Sequence, residues 1–165
     1  MGKYDSHLEK CRSFARKSKA DVRFGAFIEK NGKIIGFGRC RLSTKKERQI
    51  SRIDSAGRRY RLDYCLHAEE DAYFKALSSR ENLSGAVLYV AGFLKNGKPF
   101  LRPRAYFTCR RCATRVLLRG DLPVRIPTKS GWQELSPREA FKTSLSFFKK
   151  GFWGSVAKRR QKQSK

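Results

Sequence analysis

VRFGAFIEKNGKIIGFG, residues 22–38, sets two apolar segments on either side of Asn31-Gly32. Asn-Gly between such segments is the strongest short-range hairpin signal, because both central residues of the tight turn need positive φ. The stretch predicts two antiparallel strands, and its neighbours decide what covers them. Upstream, residues 3–19 are polar and helix-compatible, with Tyr4, Leu8, Cys11, Phe14 and Ala15 recurring on one face at three- and four-residue intervals. Downstream, CLHAEEDAYFKALSS (65–79) predicts a helix opening near His67. Ala68, Ala72, Ala76 and Leu77 recur at helical spacing, and Glu69, Glu70 and Asp71 suit the positive end of its dipole.

GAVLYVA (85–91) predicts a buried strand, and FLKNGKPFLRPRAYF (93–107) repeats an Asn-Gly turn before extended aromatic residues. Thr108 stands as an N-cap before a helix from about Cys109 to Leu118, with Gly120 as its C-cap. LPVRIP (122–127) is a short strand, and SPREAFKTSLSFFKK (136–150) a last helix capped by Ser136, with Pro137 at its first position. Helices that alternate with strands favour a sheet covered on both faces, an α/β protein built as a three-layer α/β/α sandwich. One domain is expected over 1–157, followed by a solvated basic tail at 158–165. Residues 39–61 form a long irregular stretch with nine basic residues and only Glu47 and Asp54 as acids. A loop of that length in a small domain is usually functional or disordered. His7 is expected to be solvated, and Trp132 and Trp153 to pack in the core.

The 165 residues suffice for one full-sized core, and the 12% aromatic content argues against disorder. Lys and Arg number 39 against 14 Asp and Glu, a net charge of +25. Such a surplus repels itself unless a polyanion is near, which makes nucleic acid the natural partner. The first residues contain no apolar signal-like stretch, and no segment approaches the length of a membrane span, so an intracellular, cytoplasmic location without membrane contact is expected. In a reducing compartment the five cysteines are available to bind metal.

His67-Ala68-Glu69 opens one helix, and Cys109-Arg110-Arg111-Cys112 opens another. One imidazole and two thiolates make three protein ligands, which leaves the fourth tetrahedral position of a zinc ion for water. Thiolates are favoured in the first turn of a helix, where free N–H groups and the dipole point at them. An acid two residues beyond the histidine can take a proton from that water and pass it to a leaving amine.

In these motifs, and in their order after the hairpin, the chain resembles the cytidine deaminase superfamily, whose signature is H-x-E followed by P-C-x-x-C. The resemblance implies a five-stranded mixed sheet flanked by helices. It also implies Zn2+ as cofactor, His67, Cys109 and Cys112 as metal ligands, Glu69 as proton shuttle and the Ala68 N–H as the group holding the substrate carbonyl. Thr108 replaces the usual proline, residues 92–104 look inserted, and the sugar-contacting asparagine of many relatives is replaced within Gly38-Arg39-Cys40. Arg39, Cys40, Phe107 and Arg110 join Ala68 as candidate substrate-binding residues.

The leading expectation is deamination of a cytosine-type base in single-stranded DNA or RNA, with Phe100, Tyr106 and Phe107 available to stack bases among eight basic residues between 95 and 119. A free pyrimidine nucleoside or monophosphate is the alternative substrate. From a different class, Cys65 could join His67, Cys109 and Cys112 in a closed structural zinc site of a non-catalytic nucleic-acid-binding module. Cys11 and Cys40 read as small hydrophobes. Family resemblance also makes a homo-oligomer an expectation.

Overall fold

The computed structural model describes residues 3–19, 23–42, 50–53, 59–62, 65–101 and 112–150. Helix α1 (Lys3–Ala15) precedes the hairpin β1 (Arg23–Lys30) and β2 (Lys33–Arg39). Asn31 and Gly32 take φ of 50° and 77° in its turn, as the Asn-Gly pair requires. Strands β3 (Arg41–Leu42), β4 (Ile50–Ile53), β5 (Arg59–Leu62) and β6 (Cys65–Leu66) lead to helix α2 (Ala68–Ser78). Strand β7 (Val87–Phe93), the π-helical segment α3 (Ala113–Leu118), strands β8 (Val124–Thr128) and β9 (Gly131–Leu135), and helix α4 (Pro137–Lys150) complete the described elements.

Five strands form one mixed sheet in the order β2-β1-β7-β8-β9. Only β7 and β8 run parallel, and the chain between them carries α3, since a parallel pair needs a long crossover. Side chains alternate across β1: Phe27 faces α1, while Ala26 and Ile28 face α2. On the first face Leu8, Cys11 and Ala15 of α1 pack against Phe27, Tyr89, Ala91 and Phe93. On the other, Ala68, Ala72 and Ala76 of α2, Val116 and Leu117 of α3, and Ala140 of α4 cover Leu88, Val90, Val124 and Ile126. The three-layer sandwich is therefore present. Among the described residues no helix is long and apolar enough to cross a membrane.

Several local expectations need correction. The stretch 39–61 is not wholly irregular: β3 pairs with β6, and β4 with β5, in two small antiparallel sheets. Strand β9, which the residue pattern does not predict, closes the sheet as the hairpin partner of β8. The left-handed residue after α3 is Asp121 (φ 48°), not Gly120. His7 is buried, not solvated: its ring stacks on Tyr89 at 4.6 Å and lies 3.3 Å from the Glu29 carboxylate. A stacking partner and a carboxylate offset the desolvation that a lone imidazole on a polar helix would avoid. Trp132 packs edge-on against Tyr89 as a core-lining ring, whereas Trp153 lies outside the described residues. Cys11 is a core thiol, pushed up by burial against a weaker lowering hydrogen bond from the Ala91 backbone.

Candidate active site

The site is built where β2 ends. Gly36 and Gly38 face α2, and a Cβ on Gly38 would lie 2.2 Å from the Ala68 carbonyl oxygen and 2.4 Å from the Ala72 nitrogen. Glycine lets the helix rest on the strand backbone to backbone. His67 is the N-cap residue with extended φ and ψ of −68° and 153°. Pairing of Arg41 with Leu66 and of Leu42 with Cys65 brings the chain after Cys40 alongside the chain before His67. The Cys40 N–H donates to the Phe24 carbonyl at 3.2 Å, which fixes this corner against the start of β1, and the Cys40 side chain is buried.

Three consecutive carboxylates open α2, and all are buried, at 4%, 0% and 4% exposure for Glu69, Glu70 and Asp71. The positive end of the helix dipole supports negative charge there. Asp71 accepts the Arg39 N–H at 3.2 Å and faces Arg41 Nη1 at 3.5 Å and Lys75 Nζ at 3.1 Å. It thus fixes the backbone of Arg39, whose side chain is half-buried. Glu70 accepts the His67 N–H at 3.4 Å, and its other oxygen lies 3.9 Å from Arg115 Nη1. Arg115 stands one turn beyond Cys112 on α3, so a buried carboxylate links the segment bearing Cys112 to the segment bearing His67 and Glu69. Cys112 is fully buried and shares the core cluster of Ala68.

The structure therefore sets His67, Ala68 and Glu69 at one helix start with Arg39 and Cys40 beside it, and places Cys112 in the core cluster that contains Ala68. Cys109, Phe107 and Arg110 lie outside the described residues. Among the described residues no three His, Cys, Asp or Glu side chains form a complete metal cluster. The donor types that are present, an imidazole at a helix cap and a buried thiol at a helix start, are those a zinc ion prefers. Glu70 and Asp71 were anticipated only as charges suited to a dipole. The H-x-x-E spacing of a capping arrangement could have marked Glu70, but the partner Arg115 could not be read from it.

The chain belongs to the family described as the cytidine and deoxycytidylate deaminase zinc-binding region, whose profile matches residues 1–122. It is accordingly a zinc-dependent hydrolytic deaminase that acts on a C–N bond of a cytosine-type base. Its fold is similar to that of cytidine deaminase from Burkholderia pseudomallei (18% identity, TM-score 0.54, covering 83% of this chain and 94% of that one). Cytidine deaminase from Mycobacterium leprae shares 16% identity over 81% and 94% of the two chains, with a TM-score of 0.48. The dCMP deaminase of cyanophage S-TIM5, solved with dCMP and dUMP, shares 19% identity over 74% and 78%, with a TM-score of 0.47. No curated protein matches the chain in sequence.

Proposed function

We propose that this protein deaminates a cytosine-type base within single-stranded DNA or RNA, with His67, Cys109 and Cys112 holding zinc. The observation that carries the site assignment is the start of α2, a half-buried His67 followed by the buried Ala68 and Glu69, tied through Glu70 and Arg115 to the helix that begins at Cys112. Zinc held there supplies the Lewis acidity that makes water nucleophilic near neutral pH.

The protein groups do the rest. The Ala68 N–H, free of an intrahelical acceptor in the first turn, holds the base carbonyl at C2. Glu69 accepts one proton from water as the water oxygen bonds to C4 and delivers it to N3, then takes the second from the new C4 hydroxyl and passes it to the departing amine. The C4–N4 bond breaks, ammonia leaves, and the base becomes uracil. A carboxylate 4% exposed performs these transfers away from competing bulk water.

The polymer substrate is supported by the net charge of +25, which a single phosphate cannot balance. The family's description, which mentions cytidine and deoxycytidylate, favours a second reading in which a free nucleoside or monophosphate is the substrate. A panel of cytosine-bearing oligonucleotides, cytidine, deoxycytidine and their monophosphates, assayed for uracil and ammonia, separates the two. Uracil is expected in an oligonucleotide; preference for deoxycytidylate over every oligonucleotide would replace the substrate and leave the zinc chemistry intact.

A further inference from the structure

A cavity of about 360 Å³ opens where the end of α1 meets the first residue of β1 and the turn after β7. Among the described residues its walls carry Arg12, Arg16, Arg23, Lys95 and Lys98 and no acidic residue. The turn that presents the two lysines is closed by its own hydrogen bonds. The Leu94 N–H donates to the Lys98 carbonyl at 2.9 Å, and the Lys98 N–H donates to the Asn96 side chain at 3.0 Å. Arg12 lies over the Phe93 ring at 5.4 Å and pairs with Glu9 through Nη1. Its Nε, and that of Arg23, are buried with no hydrogen-bond acceptor. Arg16, Arg23 and Lys98 form no ion pair among the described residues.

Arg16, Arg23 and Lys98, without ion pairs among the described residues, repel each other around one concavity, and buried guanidinium donors without acceptors are among the costliest groups to leave unmatched. A ligand that answers both must carry several anionic oxygens, and phosphate fits the guanidinium fork. An apolar ligand would leave both Nε groups as they are. The cavity's position suggests where the phosphates come from. Arg23 pairs with Phe93 across β1 and β7, and Gly25 pairs with Arg39 across β1 and β2. The cavity and the start of α2 therefore share one end of the sheet, on opposite faces.

We propose that this cavity binds phosphate groups of a single nucleic-acid strand whose target base enters at the start of α2. The proposal rests on the polynucleotide reading and adds to it a place for the flanking backbone. The test compares full-length Arg16→Gln/Lys98→Gln protein with a control of equal charge loss, Lys33→Gln/Arg138→Gln, altered at exposed positions in the β1–β2 turn region and on α4. Binding of a fluorescent single-stranded oligonucleotide and of tripolyphosphate is followed as salt rises, beside the substrate panel. The cavity variant should bind the oligonucleotide about tenfold more weakly, with a log–log slope shallower by about 0.7 for each phosphate that is no longer neutralised, while the control stays close to wild type. Weakened binding of tripolyphosphate alone would identify a free phosphate ligand and overturn the strand as its source. Equal weakening in both variants, or none in the cavity variant, overturns the site. Failure of the polynucleotide reading shows separately, as wild-type protein that turns over deoxycytidylate and no oligonucleotide.

Discussion

Replacing Glu69, Glu70 or Asp71 with its amide removes one charge from the same helical turn, and the three outcomes should differ. Glu69→Gln is expected to keep metal and fold and to lose about 10²–10⁴ in turnover, read by metal analysis beside uracil release. Retention of most of the activity would rule out the proton-transfer role. Glu70→Gln weakens the acceptor for the His67 N–H and discharges the partner of Arg115, and should cost about 1–3 kcal/mol in urea unfolding together with weaker zinc retention. Asp71→Asn weakens pairs with two exposed cations, Arg41 and Lys75, and about 1 kcal/mol or less is expected. Cys109→Ala should empty the protein of zinc while Cys65→Ala retains it; equal loss from both would favour the closed four-ligand site. The ligand set could be proposed from sequence because donor chemistry and helix starts are local properties. The work of Glu70 and Asp71 could not, since Arg115, Arg39 and Arg41 lie 30 or more residues away in the chain. The burial of His7 was hidden for the same reason, its neighbours being Glu29 and Tyr89.

Among elements, the packing of β2 on α2 is the one the site depends on most. Gly38→Ala would drive a methyl group into the Ala68 carbonyl and Ala72 nitrogen, and should cost at least about 1–3 kcal/mol, with zinc lost as α2 shifts. Helix α4 offers a test of another kind. The Ser136 hydroxyl and backbone N–H donate to Glu139 at 2.6 and 2.9 Å, and the hydroxyl bond foremost holds that carboxyl below its ordinary range. A depressed folded-state pKa adds stability above the unfolded value and loses it as pH falls through the folded one. Ser136→Ala should therefore lower stability at neutral pH by about 1 kcal/mol through the lost cap, with a gap that narrows below about pH 4. The Asn31-Gly32 hairpin and this capped helix were legible because turn and cap chemistry are local. Strand β9 escaped because GWQEL has no regular apolar alternation and is a strand only beside β8. The short strands between 39 and 61 escaped for a similar reason, being two- and four-residue pieces set by their partners.

For the molecule as a whole, the alternation of helix and strand sufficed to infer three layers, while the order β2-β1-β7-β8-β9 depends on long-range pairing that no residue pattern states. The charge of +25 acts at this scale too. Affinity for a single strand should fall as salt rises, with a log–log slope of about −0.7 per neutralised phosphate. Removal of residues 158–165, which lie outside the described part of the chain, should flatten that slope and leave turnover at saturating substrate unchanged. An enzyme of free nucleotides would show shallow salt dependence and no response to the truncation.

The backbone seam between Gly36, Gly38 and α2 also bears on how the protein opens. Side chains between two elements can slide and change rotamer, so a strand and a helix usually loosen independently. Here the glycine backbones lie directly against the carbonyls and amides of α2, with only the Cβ atoms of Asp71 and Ala76 beside them, and a displacement of either backbone meets the other at once. The amides of 36–38 and of 71–76 should exchange with deuterium as one cooperative unit, with a shared opening free energy. The metal-binding end of the enzyme would then breathe with the sheet edge beneath it, and slower exchange on adding zinc should extend from α2 into β2.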